Sequence, residues 1–238
     1  MKERIRAKGV PDERLHTIPV WNKRDEVYPI PDDQNPLMEK VGLEDKFVDM
    51  YSGNAGLGHR FDEVLRAAEH FDGRKEGIHF LFVGSGPRRE EIERFAETRG
   101  LSNLTYLDYF PRDQIKFSLS LADVHLLTRR SFAGIAVPGK LYGILASGTP
   151  ALMVGPEASD PAKTIQHHEV GTVVDPSSFD AEAAATEAVI GAIQHLRDHP
   201  DEQQSVGARG REVFLSRFEQ ETCCEKWTAI LRQELETP

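Results

Sequence analysis

Apolar positions along this chain fall into two alternating rhythms. From about residue 45 onward, short apolar runs bounded by glycine, proline or aspartate alternate with stretches whose apolar residues recur every three to four positions. The runs predict strands at Phe47–Tyr51, Ile78–Val83, Leu104–Leu107, Val124–Leu127, Ala151–Val154 and Gly171–Val174. After the first, Phe61, Val64, Leu65, Ala68 and Phe71 share one helical face, so a helix is predicted to begin near His59. A second helix is predicted with Pro87 as its first residue and Gly100 as its stop. Others are predicted over 113–121, from Pro138 to Ser147-Gly148, and over 181–197, 201–217 and 219–235. Strands alternating with helices imply right-handed crossovers and a parallel sheet covered on both faces. The fully apolar character of Ile78–Val83 suits a strand buried on both sides. The predicted fold class is α/β: a Rossmann-like, doubly wound parallel sheet of about six strands.

The first 36 residues follow neither rhythm. Met1–Lys8 reads as a short charged helix end stopped by Gly9 and Pro11. Leu15–Val20 is a short β-like run, and Trp21–Pro36 has no periodicity and carries Pro29, Pro31 and Pro36 among charges. The predicted organisation is therefore a linker-like portion over 1–36, a Rossmann-like domain over 37–218, and a terminal helix over 219–238.

Composition narrows the function. With 39% hydrophobic and 29% charged residues in 238, the chain can bury a proper core. A net charge of −10 argues against a nucleic-acid partner, because phosphate neutralisation needs a basic surplus. No apolar run is long enough to span a membrane, and the first residues carry no secretory apolar core. The two cysteines, Cys223 and Cys224, are adjacent, which excludes both a disulfide scaffold and a spaced-cysteine zinc site. That usage fits a reducing, cytoplasmic setting. Nine histidines are scattered and His167-His168 is the only adjacent pair, so a metal enzyme is not suggested and no resident cofactor is expected.

Ligands of open parallel sheets bind beyond the carboxyl ends of the strands, and three such ends are unusual here. The first is Gly53-Asn54-Ala55-Gly56-Leu57-Gly58-His59, whose glycines would let backbone amides approach an anion at a helix start. A tight turn without ligand is the alternative. The second, Gly84-Ser85-Gly86-Pro87, gives only the opening of a dinucleotide fingerprint, with Arg89 where the last glycine belongs. A purely structural turn is the stronger reading of that segment taken alone. The third is Val137-Pro138-Gly139-Lys140-Leu141, opening a helix that closes at Ala146-Ser147-Gly148-Thr149-Pro150. Lysine in a first helical turn opposes the helix dipole, and a locally unfavourable residue often marks function. The alternative is an exposed lysine covering the loop.

These stretches carry a resemblance. Pro138-Gly139-Lys140 with Ala146-Ser147-Gly148-Thr149-Pro150, Tyr51 to Gly56 with His59, Phe82 to Pro87, and Gly207-Ala208-Arg209-Gly210-Arg211 with Phe214, Phe218 and Trp227 together resemble the C-terminal, donor-binding half of family 4 (group 1) glycosyltransferases of the GT-B fold. Bacterial polysaccharide and lipopolysaccharide members are the most similar. Gly9-Val10-Pro11 to Trp21-Asn22 resembles the end of that family's N-terminal domain. The resemblance implies the donor half of a retaining, metal-independent glycosyltransferase taking a nucleotide-diphosphate sugar, most often UDP-linked. It implies Lys140, Gly139 and Leu141 at the diphosphate, and Gly53, Asn54, Gly56 and His59 at the sugar and phosphate. It further implies Gly84, Ser85, Gly86, Tyr109 and Phe110 at the nucleotide, the two aromatics bordering the base. The paired glutamates of many members correspond to Ile135 and Gly143, so no catalytic residue is assigned.

Two other classes fit the same motifs: a non-catalytic nucleotide-sugar-binding module, and half of a GT-B nucleotide-sugar epimerase. The acceptor-binding N-terminal domain is the implied partner, with at most peripheral contact at the inner face of a membrane. Without that domain the chain is expected to bind donor but transfer no sugar. Cys223, Trp227, Ile230 and Leu231 form an apolar stripe on the last helix, so the chain ends are expected to fold back on the domain or to pair with a second copy as a homodimer.

Overall fold

Six parallel strands form one sheet in the order β3-β2-β1-β4-β5-β6. The computed structural model describes residues 2–74, 77–130 and 139–236. The strands are β1 (Phe47–Ser52), β2 (Ile78–Val83), β3 (Leu104–Leu107), β4 (Val124–Thr128), β5 (Ala151–Val154) and β6 (Gly171–Val174). The helices are α1 (Lys2–Arg6), α2 (Pro36–Val41), α3 (Asp62–Phe71), α4 (Arg89–Arg99), α5 (Ile115–Leu119), α6 (Lys140–Ser147), α7 (Asp160–His168), α8 (Glu182–Asp198), α9 (Pro200–Val213) and α10 (Gln220–Glu236). The doubly wound α/β reading holds, and every predicted strand is present.

Both faces of the sheet are covered, as the apolar runs require. Tyr51, Phe80, Phe82, Leu126 and Leu152 pack with α3 and α8 on one face. Val48, Met50, Leu81 and Val83 pack with α2 on the other, where Leu127 and Met153 meet α6 and α7. All six residues of β2 are buried, so this strand reads as an unbroken apolar run. The sequence runs outward from β1 to β3, then returns to β4 on the other side of β1. That reversal opens a crevice between the carboxyl ends of β1 and β4.

The segment without periodicity is held tightly. Val27 is buried in the core beside Leu141 and Leu145, and the Arg211 guanidinium donates to the Val27 and Ala146 carbonyls at 2.8 and 2.7 Å. Asn22 bridges in parallel to Glu219, so the irregular segment also borders the start of α10.

Several local expectations are corrected. Leu15–Val20 is not a strand; the carbonyls and amides that would pair it to a sheet have no strand beside them. Pro87 is not the first residue of a helix: it lies in a turn, and α4 starts two residues later behind Arg88. The 113–121 helix is a 3-10 turn at Arg112–Gln114 running into α5. The 201–217 stretch is α9 followed by a π-helical turn at Phe214–Phe218.

Candidate functional site

The crevice is built by two glycine turns locked into each other. Gly53 stands at φ +131° and Gly84 at φ +140°. A Cβ on Gly84 would lie 2.2 Å from the Gly53 carbonyl oxygen, and one on Gly86 2.6 Å from the Ala55 amide nitrogen. No other residue permits so close an approach at such backbone angles. The Gly53 amide donates to the Val83 carbonyl at 2.8 Å, and the Ala55 amide to the Ser85 carbonyl at 2.6 Å. The turns therefore spend their glycines on each other. Gly84, Ser85 and Gly86 line neither of the two cavities described next; they support the 53–58 loop from beneath.

Two cavities flank the first turn of α6. The larger, of about 470 Å³, is walled by Gly53, Tyr109, Phe110, Gly139 and Lys140, with Asn22 and Glu26 contributed by the irregular segment. The smaller, of about 410 Å³, is walled by Asn54, Gly56, His59, Arg129, Gly139 and Lys140. Lys140 and Gly139 border both. Of the predicted residues, Gly53, Tyr109 and Phe110 face the first cavity and Asn54, Gly56 and His59 the second. Leu141 faces neither: its side chain is buried in the core. Gly143 lines the larger cavity, while Pro138 and Ile135 lie outside the described residues.

Lys140 is half-buried rather than an exposed cover to the loop. Its Nζ donates to the Tyr51 hydroxyl and stands 3.8 Å from the centre of the Tyr51 ring. Burial pulls its pKa down to about 7, and among the described residues no carboxylate pairs with it. His59 donates from Nδ1 to the Thr128 carbonyl at 2.7 Å; since a carbonyl only accepts, Nε2 is left as an acceptor. Burial, and then the charge of Lys140, pull the His59 pKa down to about 4, so the ring is neutral near pH 7. Arg88 and Arg130 donate to the His59 carbonyl at 2.8 and 2.9 Å, fixing the loop that carries it.

The arrangement suits an anion. It offers a lysine, the amino end of α6, a nearby arginine and a neutral imidazole, between a cavity walled by Tyr109 and Phe110 and one walled by Asn54 and His59. Among the described residues no cluster of three or more His, Cys, Asp or Glu could hold a metal ion. Sequence reasoning gave no role to Tyr51, Asn22, Glu26 or Arg129. Tyr51 ends the strand just before Gly53, a position from which it could have been suspected. The walls from Asn22 and Glu26 depend on tertiary packing and leave no local signal.

Residues 33–211 match the sequence model of the family described as "Glycosyl transferases group 1". The chain is 29% identical over 185 residues to the putative colanic acid biosynthesis glycosyl transferase WcaI of Escherichia coli, covering 76% of this chain and 45% of that protein. It is 25% identical over 232 residues to the probable glycosyltransferase WbjE of Pseudomonas aeruginosa, covering 97% and 55%. The chain thus spans about half the length of the curated relatives it matches. Among solved structures, HepE of Anabaena in complex with UDP and glucose superposes with a TM-score of 0.79 at 13% identity, over 98% of this chain and 60% of that one. The C-terminal domain of LpcC from Francisella tularensis superposes with a TM-score of 0.65 at 14% identity, over 84% and 99%.

Proposed function

This chain belongs to the group 1 glycosyltransferase family, and we propose that it is the donor-binding part of such an enzyme, holding a nucleotide-diphosphate sugar across Lys140. The observation that carries this reading is the pair of cavities meeting at one lysine and one helix start. The base and ribose occupy the larger cavity beside Tyr109 and Phe110. The diphosphate spans Lys140 and the Gly139 backbone at the amino end of α6. The sugar enters the smaller cavity beside Asn54, Gly56 and His59.

Transfer is retaining and needs no metal ion in this reading. The leaving diphosphate gains negative charge as the glycosidic bond breaks, and preorganised donors facing that charge lower the barrier. Lys140, the α6 dipole and Arg129 would supply them. His59, neutral and with Nε2 as acceptor, can orient a sugar hydroxyl without competing for the phosphate. Acceptor and catalytic residue would come from the portion of a family enzyme that lies across the cleft. We place the protein in the cytoplasm, working on a polysaccharide-type acceptor.

UDP is the preferred nucleotide on the strength of the HepE complexes. A GDP-linked sugar is the competing choice, because GDP-mannose-dependent mannosyltransferases of Mycobacterium tuberculosis are 29% identical over 178 residues, 72% of this chain. Calorimetric titration with UDP, GDP, ADP and the corresponding sugar nucleotides tests the proposal. Saturable one-to-one binding of UDP or GDP, tighter than ADP, is expected. No binding of any nucleoside diphosphate overturns it.

A further inference from the structure

The contacts around Lys140 have a consequence beyond simple anion attraction. The Tyr51 hydroxyl has one proton, and it is spent: it donates to the Asn54 carbonyl at 2.7 Å. The hydroxyl can then only accept from Lys140 Nζ, which it does. A chain of contacts thus runs from the first turn of α6, through a fully buried tyrosine, to the loop at 53–58. The lysine is also sterically placed. A Cβ on Gly53 would lie 2.4 Å from Lys140 Cε, so the aliphatic stem rests on bare glycine backbone, with Nζ over the ring of Tyr51.

The groups facing Nζ offer little to offset a positive charge. From β1 come the Tyr51 ring and hydroxyl, and from the following loop the neutral His59. From the end of β4 comes Arg129, and behind His59 stands Arg88, both of like charge. The turn after β3 brings Tyr109. Among the described residues the one carboxylate bordering the larger cavity, Glu26, is bound to Lys23 at 3.3 Å and Arg112 at 3.3 Å. Among the described residues, an ammonium here is partly desolvated and compensated by a ring face and one hydroxyl.

We infer that Tyr51 is a positioning residue that holds Lys140 between the two cavities, and that binding of the diphosphate is coupled to uptake of a proton at Lys140 Nζ. The inference rests on the donor reading above. In the empty site the lysine is shared between neutral and charged forms near neutral pH, in keeping with its pKa of about 7. The arriving diphosphate supplies the missing counter-charge and stabilises the ammonium, so Nζ takes a proton from solvent. No bond to carbon forms or breaks; one N–H bond is gained, and the buffer loses that proton.

The experiment is calorimetric titration of UDP into the full chain between about pH 6.5 and pH 9, in pairs of buffers with different heats of ionisation. For the unaltered chain, binding at about pH 8 is expected to draw most of one proton from the buffer. Affinity is expected to be level at low pH and to fall by up to about tenfold per pH unit above neutrality. Lys140→Arg, whose guanidinium stays charged, is expected to bind UDP with neither the uptake nor the decline. Tyr51→Phe keeps the ring and removes the acceptor; at about pH 8 it is expected to bind roughly three- to tenfold more weakly, with the decline beginning at lower pH. Thermal melting checks that the Phe variant folds, and should it fail, the Lys140→Arg comparison decides. UDP binding with flat affinity and no proton uptake overturns the inference and leaves the donor reading standing. So does a folded Tyr51→Phe chain that matches the parent in affinity and pH profile. Absence of UDP binding at every pH overturns both.

Discussion

Gly84 shows how much one residue can hold. Its backbone lies at φ +140°, and an added Cβ would meet the Gly53 carbonyl carbon at 2.9 Å and its oxygen at 2.2 Å. Gly84→Ala must therefore shift backbone in both turns. A loss of roughly 2–4 kcal/mol in unfolding free energy is expected, combining the unfavourable φ with the clash. Denaturant titration checks it, and a loss under about 0.5 kcal/mol would contradict the interlock. Asp123 is the second instructive residue. It accepts from the Val48 amide at 2.7 Å, and burial, opposed by that bond and reinforced by Asp32, pushes its pKa up to about 6. A carboxyl whose folded pKa is raised binds its proton more tightly in the folded chain, so its contribution favours folding at low pH. That contribution is lost as pH rises from the ordinary carboxyl range through about 6. Asp123→Asn keeps an acceptor for Val48 and cannot ionise. Its stability relative to the parent is expected to rise between about pH 4 and pH 7 and then level off, by up to about 3 kcal/mol. A pH-independent difference would contradict the assignment. Residue-scale legibility was uneven. Lys140 stood out because a lysine opens a helix where acids belong, and Tyr109 and Phe110 follow a strand end. Gly84 to Gly86 read on its own as a structural turn and took a nucleotide role only from the family resemblance; glycine serves close backbone approach as readily as ligand approach.

At the scale of elements, the strands were readable because each is a short run rich in apolar and β-branched residues: β2, β4 and β5 are buried throughout and β1 at its four central residues, while the edge strands β3 and β6 are mostly half-buried. Two helices escaped. α7 carries only Ala162 and Ile165 as buried aliphatic residues, too few for a periodic stripe, although Ser159-Asp160-Pro161 is a helix-start signature and Ser159 Oγ does accept from the Ala162 amide at 3.4 Å. α2 is six residues long and announced by Asn35, which caps it by accepting from the Leu37 amide at 3.1 Å. Leu15–Val20 looked like a strand because it is β-prone, but pairing needs a neighbour, and propensity alone supplies none. α10 depends on its own cap. Glu219, almost fully buried, accepts from the Glu221 amide at 2.7 Å. Glu219→Ala is expected to cost about 1 kcal/mol and to raise the hydrogen-exchange rates of the first turn of α10. Unchanged exchange there would mean that the turn is held by Cys223 packing alone.

At the scale of the whole molecule, the two chain ends lie along each other. His16 Nε2 stands 3.3 Å from Glu234 Oε1, Arg24 binds Glu221 at 2.9 Å, and the Gln220 amide donates to the Asn22 carbonyl at 3.0 Å. The apolar stripe is covered only in part: Cys223 is buried and Ile230 half-buried, while Trp227 remains 46% exposed and Leu231 53%. Exposed apolar surface of this kind favours association. Light scattering is expected to show self-association at tens of micromolar, abolished by Trp227→Glu with Leu231→Glu; a strictly monomeric parent would contradict that role for the stripe. The contact between the ends touches the crevice at Asn22, which walls the larger cavity, while the crevice itself is set by the reversal of strand order between β1 and β4. In the function proposed above, a nucleoside diphosphate spans the two cavities of that crevice on Lys140. A charge-assisted phosphate contact is worth roughly 1.5–3 kcal/mol. The most direct test is the UDP dissociation constant of the parent and of Lys140→Ala, measured side by side at about pH 7. The account requires saturable binding by the parent, weakened about tenfold or more in a variant that melts at nearly the same temperature. Equal affinity in the two chains would contradict it.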